Sequence, residues 1–154
     1  MEQKIKIALV LLGMIEKYIN KISGPLLDRF DIHIEVPMVK YEKLNASTYE
    51  ETSEEIKKRV NSARKIQKER YQGYNIFSNS ELTTNMLEIY CKLNNESNFI
   101  MQKSFDKLGL SVRAYSKILK VARTIADLDS SENILTHHLT EAIQYRSLDR
   151  KYWR

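Results

Sequence analysis

The chain has little of the residue types on which many functional sites depend. Its 154 residues include one cysteine, four glycines and two prolines. A lone cysteine, Cys91, excludes an internal disulfide framework and a cysteine-rich zinc site, and it fits a reducing compartment. The sequence contains no G-x-x-x-x-G-K-[ST] loop and no G-x-G-x-x-G pattern. It therefore offers no glycine-rich cradle of its own for nucleotide phosphates.

Long hydrophobic runs are also missing. The longest uncharged apolar run, residues 7–15, falls well short of the roughly 20 residues that span a bilayer. No small-residue cleavage site follows it, so we predict a cytoplasmic protein without a membrane partner. Residues 4–20 are too continuously apolar for periodicity to separate a helix from a strand, although their length favours a helix.

The composition is that of a globular protein with a basic balance. Hydrophobic residues make up 42% of the chain, enough for an ordinary core, and the net charge is +5. A charge of this size permits contact with phosphate-bearing partners without requiring it. The length allows one domain, or a small domain with part of another.

The strongest local pattern lies at residues 109–128. Gly109 is a natural end for the preceding helix and Ser111 a natural N-cap. Apolar residues then recur at helical spacing: Tyr115, Ile118, Leu119, Ala122, Ile125 and Ala126. Arg113 falls in the first turn, where a cation is unfavourable unless an anion binds beside it. Arg113 is therefore a candidate functional residue.

A second helix, about residues 53–70, has a basic face. It opens with the capping-box sequence Thr52-Ser-Glu-Glu55 and has only a thin apolar stripe. Its cations are most simply a solvated face. The alternative is contact with nucleic-acid phosphates, helped by Tyr71 and Tyr74 nearby, for which the candidates are Lys57, Lys58, Arg64 and Lys68.

The remaining segments predict a small helical bundle with one strand before it. Residues 80–93, 96–108 and 136–148 each have apolar residues at helical spacing, and we expect a domain boundary near 71–79. Residues 32–36 alternate apolar and polar, as in a half-buried strand. A strand must pair with others to satisfy its backbone, and the sequence contains no obvious partner strand.

Arginine and histidine offer further candidate sites. Arg29, just before the predicted strand, is either an ordinary surface arginine or an arginine finger that reaches a neighbouring subunit's nucleotide. The pair His137 and His138 occupies the first turn of a helix, where adjacent residues point about 100° apart, so we expect no shared metal ion. His33 on its own is not a metal site either.

Four stretches together resemble a known family. They are residues 22–37 (ISGPLLDRFDIHIEVP), 109–115 (GLSVRAY), 121–128 (VARTIADL) and 138–146 (HLTEAIQYR), the last followed by LDR at 148–150. They look like the C-terminal part of magnesium-chelatase-like AAA+ ATPases, of the branch that contains the competence protein ComM. The segment 1–21 does not look like the family.

The resemblance implies a mainly α fold: the end of an incomplete AAA+ core over residues 22–71, a helical lid over residues 80–150, and a tail at 151–154. It implies the arginine-finger role for Arg29 and the sensor-2 role, toward the ATP γ-phosphate, for Arg113. It leaves open whether Arg113 acts in cis or in trans. Expected partners are neighbouring subunits, as a homo-hexamer in the family, and DNA.

ATP and magnesium are the substrate and metal of the full-length family. The chain lacks Walker A and Walker B motifs, so we expect it neither to bind them tightly nor to hydrolyse ATP alone. Chelatase-like and DNA-motor roles both remain open. Two alternatives to an ATPase portion also remain: a stand-alone helical module that binds nucleic acid or protein, and an inactive product of a split gene.

Overall fold

The computed structural model describes residue 26, residues 28–38 and residues 51–146. Over these residues the regular structure is helical, which confirms the predicted mainly α fold. Five α-helices follow one another: α1 (Ser53–Arg70), α2 (Thr84–Tyr90), α3 (Asn95–Leu108), α4 (Val112–Leu128) and α5 (Thr136–Gln144). A short 3-10 helix, Asn79–Glu81, precedes α2. The predicted helix at residues 4–20, the LDR motif at 148–150 and the tail at 151–154 lie outside the described residues.

Helix α1 begins where the capping box predicts. The Thr52 side chain accepts the Glu55 N–H at 3.3 Å, and the Glu55 carboxylate accepts the Thr52 N–H at 2.8 Å. The helix ends at Arg70, and Tyr71 closes it by donating its N–H to the Gln67 carbonyl. None of the five described helices is both long enough and apolar enough to cross a bilayer.

Helix α4 is the centre of the core. It packs against α1, α2, α5 and the 3-10 helix, while α3 packs on α5. Its buried face is built from Ala114, Ile118, Leu119, Ala122 and Ala126. Three of these are alanines, whose small side chains let neighbouring helices approach closely. The rest of the buried hydrophobic cluster is Tyr71, Leu82, Leu87, Cys91, Met101, Leu110, Ile134, Leu139 and Ala142.

The helix predicted over residues 80–93 is divided in two. Asn79–Glu81 forms the 3-10 turn, Leu82 and Thr83 are not helical, and α2 starts only at Thr84. Tertiary contacts hold the first part: Lys120 of α4 donates to the Ser80 carbonyl at 2.8 Å. The Asn79 N–H is taken by the Gln67 side chain at 3.1 Å.

The strand predicted over residues 32–36 is wrong for this structure. Residues 32–38 have no strand assignment, and Ile34 and Val36 are exposed. The apolar alternation indicates a half-buried surface, but a strand forms only when a neighbouring strand satisfies its backbone groups. In this segment the His33 N–H donates to the Tyr145 carbonyl at 2.8 Å, at the end of a helix rather than in a sheet.

Candidate functional site

Helix α4 presents Arg113 in its first turn. Gly109 ends α3 in the left-handed conformation, with φ of 58°. Ser111 then caps α4 by accepting the Ala114 N–H at 3.0 Å. Both caps were predicted from the sequence and are confirmed. The Arg113 side chain is exposed, at the positive end of the helix dipole.

The backbone of Arg29 is attached to the same helix. Lys117, one turn after Arg113, donates from Nζ to the Arg29 carbonyl oxygen at 2.7 Å. The same ammonium group forms an ion pair with the Asp31 carboxylate. Because Arg113 and Lys117 are four residues apart on one helix, they lie on the same face. One turn of α4 therefore carries Arg113 and, through Lys117, also holds the backbone of Arg29, the predicted arginine finger.

Two residues just after α5, Tyr145 and Arg146, hold the rest of the segment 28–33. Arg146 is fully buried, and its Nη1 donates to the Phe30 carbonyl at 2.5 Å. Its Nη2 lies 3.5 Å from an Asp28 carboxylate oxygen. The Tyr145 carbonyl accepts the His33 N–H at 2.8 Å. The helical bundle thus fixes the segment on both sides of Arg29, although no strand forms there.

A cleft of about 330 Å³ opens between this segment and α4. Its lining residues are Arg29, Asp31, Ser80, Arg113, Ser116, Lys117 and Lys120. Four of them are cations and one is a carboxylate, so the cleft is strongly positive. Arg29 and Arg113, predicted separately from positions 84 residues apart, are brought together by the structure. Such a cleft suits a multiply charged anion such as the phosphates of a nucleotide.

The cations of α1 fall into two groups. Four of the seven pair with carboxylates: Lys58 with Glu54 at 3.8 Å, Arg59 with Glu51 at 2.7 Å, Lys65 with Glu69 at 4.0 Å, and Arg70 with Asp127. The other three, Lys57, Arg64 and Lys68, have no ion pair within the described residues. Spacings of seven and four residues put these three on one face of the helix, with Lys58 about 100° away from Lys57.

The aromatic residues expected beside this face are placed differently. Tyr71 is buried, and its hydroxyl donates to the Asn79 side chain at 2.6 Å. Tyr74 packs edge-on against Tyr90, with ring centroids 6.4 Å apart. Tyr74 nevertheless remains 52% exposed, and Phe77, a few residues further along, is 70% exposed. Phe77 was not among the residues predicted from the sequence, although its position in a predicted loop beside the basic helix was a usable signal.

A buried polar network that the sequence analysis did not anticipate joins α1, the 3-10 helix and α4. Asp127 is its centre, with a fully buried side chain. It accepts from Arg70 Nη1 at 2.9 Å, from Asn79 Nδ2 at 2.8 Å and from Arg123 Nε at 3.1 Å. Arg123 also donates to the Ser131 and Glu132 carbonyls, at 2.6 and 2.8 Å. Charged residues at i, i+4 within the apolar face of α4 were the signal for it.

For both arginines of this network, burial and the charge of Asp127 shift the pKa in opposite directions. Burial lowers the pKa of Arg123, against the opposing charge of Asp127. Burial also acts to lower the pKa of Arg70, but the hydrogen bond and charge of Asp127 outweigh it, so that this pKa is raised. Both guanidinium groups remain charged, and the Asp127 carboxylate is the counter-ion that they share.

The comparison with known families decides the relationship. The family described as magnesium chelatase, subunit ChlI C-terminal, matches residues 50–146, and the family described as magnesium chelatase, subunit ChlI, matches residues 4–44. The chain belongs to the magnesium chelatase family. The second match includes most of residues 1–21, the segment expected to be unlike the family.

Similarity to individual proteins agrees with the place of the chain in the magnesium chelatase family. It is 46% identical over 137 residues to the competence protein ComM of Haemophilus influenzae and 40% identical over 135 residues to the uncharacterized protein YifB of Escherichia coli. An uncharacterized protein of Mycobacterium tuberculosis is 26% identical over 130 residues. These alignments cover 84–88% of this chain but 26% of each relative. The chain thus spans about a quarter of the length of the curated relatives it matches.

The two neighbouring histidines of this family member converge on one carboxylate. Their rings are 3.9 Å apart, and Asp129 lies 3.0 Å from His138 Nε2 and 3.5 Å from His137 Nε2. The prediction that these adjacent side chains point apart was therefore wrong. His138 Nδ1 accepts the Leu135 N–H at 3.0 Å, so Nε2 carries the ring proton and donates it to Asp129. That nitrogen offers no lone pair to a metal, and the absence of a metal site here stays a prediction.

Cys91 is equally unsuited to chemistry. It is buried, and burial raises the pKa of its thiol to about 11. The thiol is therefore protonated at neutral pH, which fits a structural role in the core.

Proposed function

We propose that this chain is the finger-and-lid portion of a ring-shaped ATPase, in which Arg29 and Arg113 act together on the γ-phosphate of ATP. The observation that supports this function is the single basic cleft that both arginines line. In phosphoryl transfer, negative charge spreads over the oxygens of the transferring group, and fixed cations stabilise it. The mainly α fold and the family relationship agree with a lid.

The cleft supports a shared site between subunits. An arginine finger acts on the nucleotide of a neighbouring subunit. Since Arg113 lines the same cleft as Arg29, the simplest arrangement is that both reach that nucleotide, so that Arg113 acts in trans. The cleft does not fit a magnesium ion, because four cations surround its single carboxylate, Asp31. In this proposal, magnesium and the rest of the catalytic centre belong to the facing subunit.

Lys117 gives the site a means of coupling. It joins the Arg29 carbonyl to the helix turn that bears Arg113, so a rotation of the lid moves both arginines as one unit. Binding of a γ-phosphate by Arg113 then also positions Arg29. In this role Lys117 positions the arginine finger by holding the backbone carbonyl of Arg29.

ATP turnover in a ring that contains this chain tests the proposal. Residues 22–146 would replace the corresponding C-terminal part of a full-length relative, such as the H. influenzae competence protein. Arg29→Ala and Arg113→Ala should each lower kcat by about a hundredfold or more, because each removes a cation from the transition state. Lys103→Ala, which replaces an exposed lysine of α3 that does not line the cleft, is the matched control. Unchanged turnover in Arg113→Ala would show that the assigned role is wrong.

Replacing Lys117 separates positioning from direct action. Lys117→Met should lower kcat with little change in the KM for ATP, and Lys117→Arg should restore part of it, since the longer cation still reaches the Arg29 carbonyl. A large rise in the KM for ATP in Lys117→Met would instead indicate a direct phosphate contact and contradict the positioning role.

We also propose nucleic acid as a partner of the basic helix. Lys57, Arg64 and Lys68 share an exposed face and have no ion pair within the described residues, whereas Lys58 is engaged by Glu54 at 3.8 Å. A relative named as a competence protein is consistent with action on DNA. Replacing the three cations by glutamine should weaken binding to DNA and reduce its salt dependence.

A further inference from the structure

We propose that the groove beside helix α1 binds single-stranded nucleic acid, with a base stacked on Phe77 and backbone phosphates held by Arg64 and Lys68. This inference rests on the nucleic-acid role proposed above and adds a site and a strand state to it. The groove has a volume of about 640 Å³. Its walls are α1, the loop before the 3-10 helix and the last turns of α4, and its lining includes Arg64, Lys68, Phe77, Ser78 and Glu81.

The aromatic ring stands on a fixed loop. The Phe77 N–H donates to the Glu81 carboxylate at 3.1 Å, and the Ser78 hydroxyl donates to the same oxygen at 2.9 Å. These bonds order the backbone on either side of the ring, while 70% of Phe77 remains exposed. A large apolar ring held in water costs free energy, and a stacked base would remove it from water. Stacking on an aromatic side chain accepts any base.

The charged residues of the groove favour separate positions for the phosphates and the bases of a bound strand. Arg64 and Lys68 are one helical turn apart, about 6 Å along α1, and Lys57 continues the same face. Glu81 is the carboxylate in the groove, on the loop side. The bonds from Phe77 and Ser78 hold the pKa of Glu81 below its ordinary range, so the carboxylate stays charged. Phosphates are therefore directed to the α1 wall, away from Glu81, which leaves a base over Phe77.

The site requires an unpaired strand. In a duplex the faces of the bases are stacked on one another and cannot reach a side chain beside the helix. A single strand can turn one base out to Phe77 while its backbone follows the cations of α1. DNA and RNA share this chemistry, so both are included in the test.

The experiment measures binding of the full chain to fluorescent oligonucleotides by anisotropy at low salt. The probes are a 15-nucleotide oligothymidylate, the matching oligouridylate and a mixed-sequence duplex of the same length. Phe77→Ala should weaken binding to the single strands about tenfold and leave the duplex nearly unchanged. Phe77→Trp should restore binding. Circular dichroism verifies that each variant is folded, which is expected because the ring is exposed.

A matched control is available on α3. Phe99 is also exposed, at 56%, and Lys103 lies over its ring at 4.3 Å. This pair reproduces an exposed aromatic beside a cation without the groove, so Phe99→Ala should not change binding. Arg64→Gln together with Lys68→Gln should reduce the slope of log K against log salt by about 1.4 for single strands, since two phosphate contacts are lost.

Each result decides between alternatives. If the cation variants weaken binding but Phe77→Ala does not, the nucleic-acid role stands and the stacking groove is wrong. If no probe binds at low salt, both fall, while the ATPase proposal is untouched. If Phe77→Ala changes only the sedimentation coefficient of the protein, the groove binds a second copy of the chain and the inference is overturned.

Discussion

Helix α4 carries an arginine near each end, and the two have opposite surroundings. Arg123, near the C-terminal end, is buried and makes hydrogen bonds to Asp127 and to the Ser131 and Glu132 carbonyls. Arg113, at the N-terminal end, is exposed and has no ion pair within the described residues. The same side chain on the same helix is therefore part of the internal structure at one end and available to a ligand at the other.

The difference follows from the cost of isolating a charge. A buried guanidinium without a partner would destabilise the fold by several kcal/mol, so Arg123 is retained only with its partners in place. An exposed arginine is hydrated and costs little by itself. At the start of a helix, however, the dipole opposes it, and a bound anion would relieve that opposition. The arginine that lacks a protein partner is the better candidate for function.

The largest expected effect comes from removing the carboxylate that neutralises the buried end. Asp127→Ala leaves the guanidinium groups of Arg70 and Arg123 without their shared counter-ion, so the free energy of unfolding should fall by about 3–5 kcal/mol. Urea denaturation measures it. Asp106→Ala, an exposed aspartate of α3, is the control, with a change of less than about 0.5 kcal/mol. A loss below about 1 kcal/mol in Asp127→Ala would mean that the network does not hold α1 on α4.

The two arginines of α4 provide the direct comparison. Arg123→Ala should cost about 3 kcal/mol, because Asp127 keeps Arg70 and Asn79 while the two loop carbonyls lose their donor. Arg113→Ala should change stability by less than about 0.5 kcal/mol. Thermal and urea unfolding of the two variants side by side measure both values. Similar losses would remove the distinction between a structural and a functional arginine.

A smaller effect is expected from the cap that positions Arg113. Ser111→Ala removes the acceptor for the Ala114 N–H and should cost about 1 kcal/mol. Thr52→Ala, which removes the matching cap of α1, should cost a similar amount. Chemical denaturation measures both. A loss in Ser111→Ala far greater than in Thr52→Ala would show that this cap also supports the contacts around Arg29.

The smallest effect concerns Asp129, just beyond the C-terminal end of α4. Hydrogen bonds from His138, and less strongly from His137, lower the pKa of this carboxyl from its ordinary 3.8. These hydrogen bonds therefore add to the free energy of unfolding at pH values above the ordinary pKa. Their contribution is lost as the pH falls through the lower pKa of the folded state. Carboxyl-carbon NMR should show the pKa of Asp129 rise more in His138→Ala than in His137→Ala. The reverse order would contradict the assigned hydrogen bonds.

Local signals predicted the helical part of the fold well. The capping box at Thr52, the left-handed Gly109 and the N-cap Ser111 depend on nearest neighbours in the chain, and all three are confirmed. The predicted strand at 32–36 was wrong because a strand depends on a partner that local pattern cannot supply. The helix expected from residue 80 was interrupted because contacts from Gln67 and Lys120 hold its start in a 3-10 turn.

The candidate site was predicted one residue at a time. Arg29 and Arg113 were each found from the sequence, one by its place before an apolar segment and resemblance, the other by its place in a helix. Their common cleft joins residues 84 positions apart, and the contact from Lys117 to the Arg29 carbonyl joins residues 88 apart, so neither could be predicted from spacing. The convergence of His137 and His138 on Asp129, only eight and nine residues away, was missed for another reason: the angle between adjacent helical positions does not fix where the side-chain torsions carry the two rings.

The sequence by itself determined most of the helices, their caps, the basic face of α1 and the place of Arg113, a cation in the first turn of a helix. These depend on interactions within a few residues, which the order of amino acids specifies directly. Only the tertiary structure decided which charges are neutralised inside the protein and which face outward together. The packing of α1, α4 and the segment 28–33 brings distant charges within hydrogen-bond range, and burial then makes a partner for each obligatory.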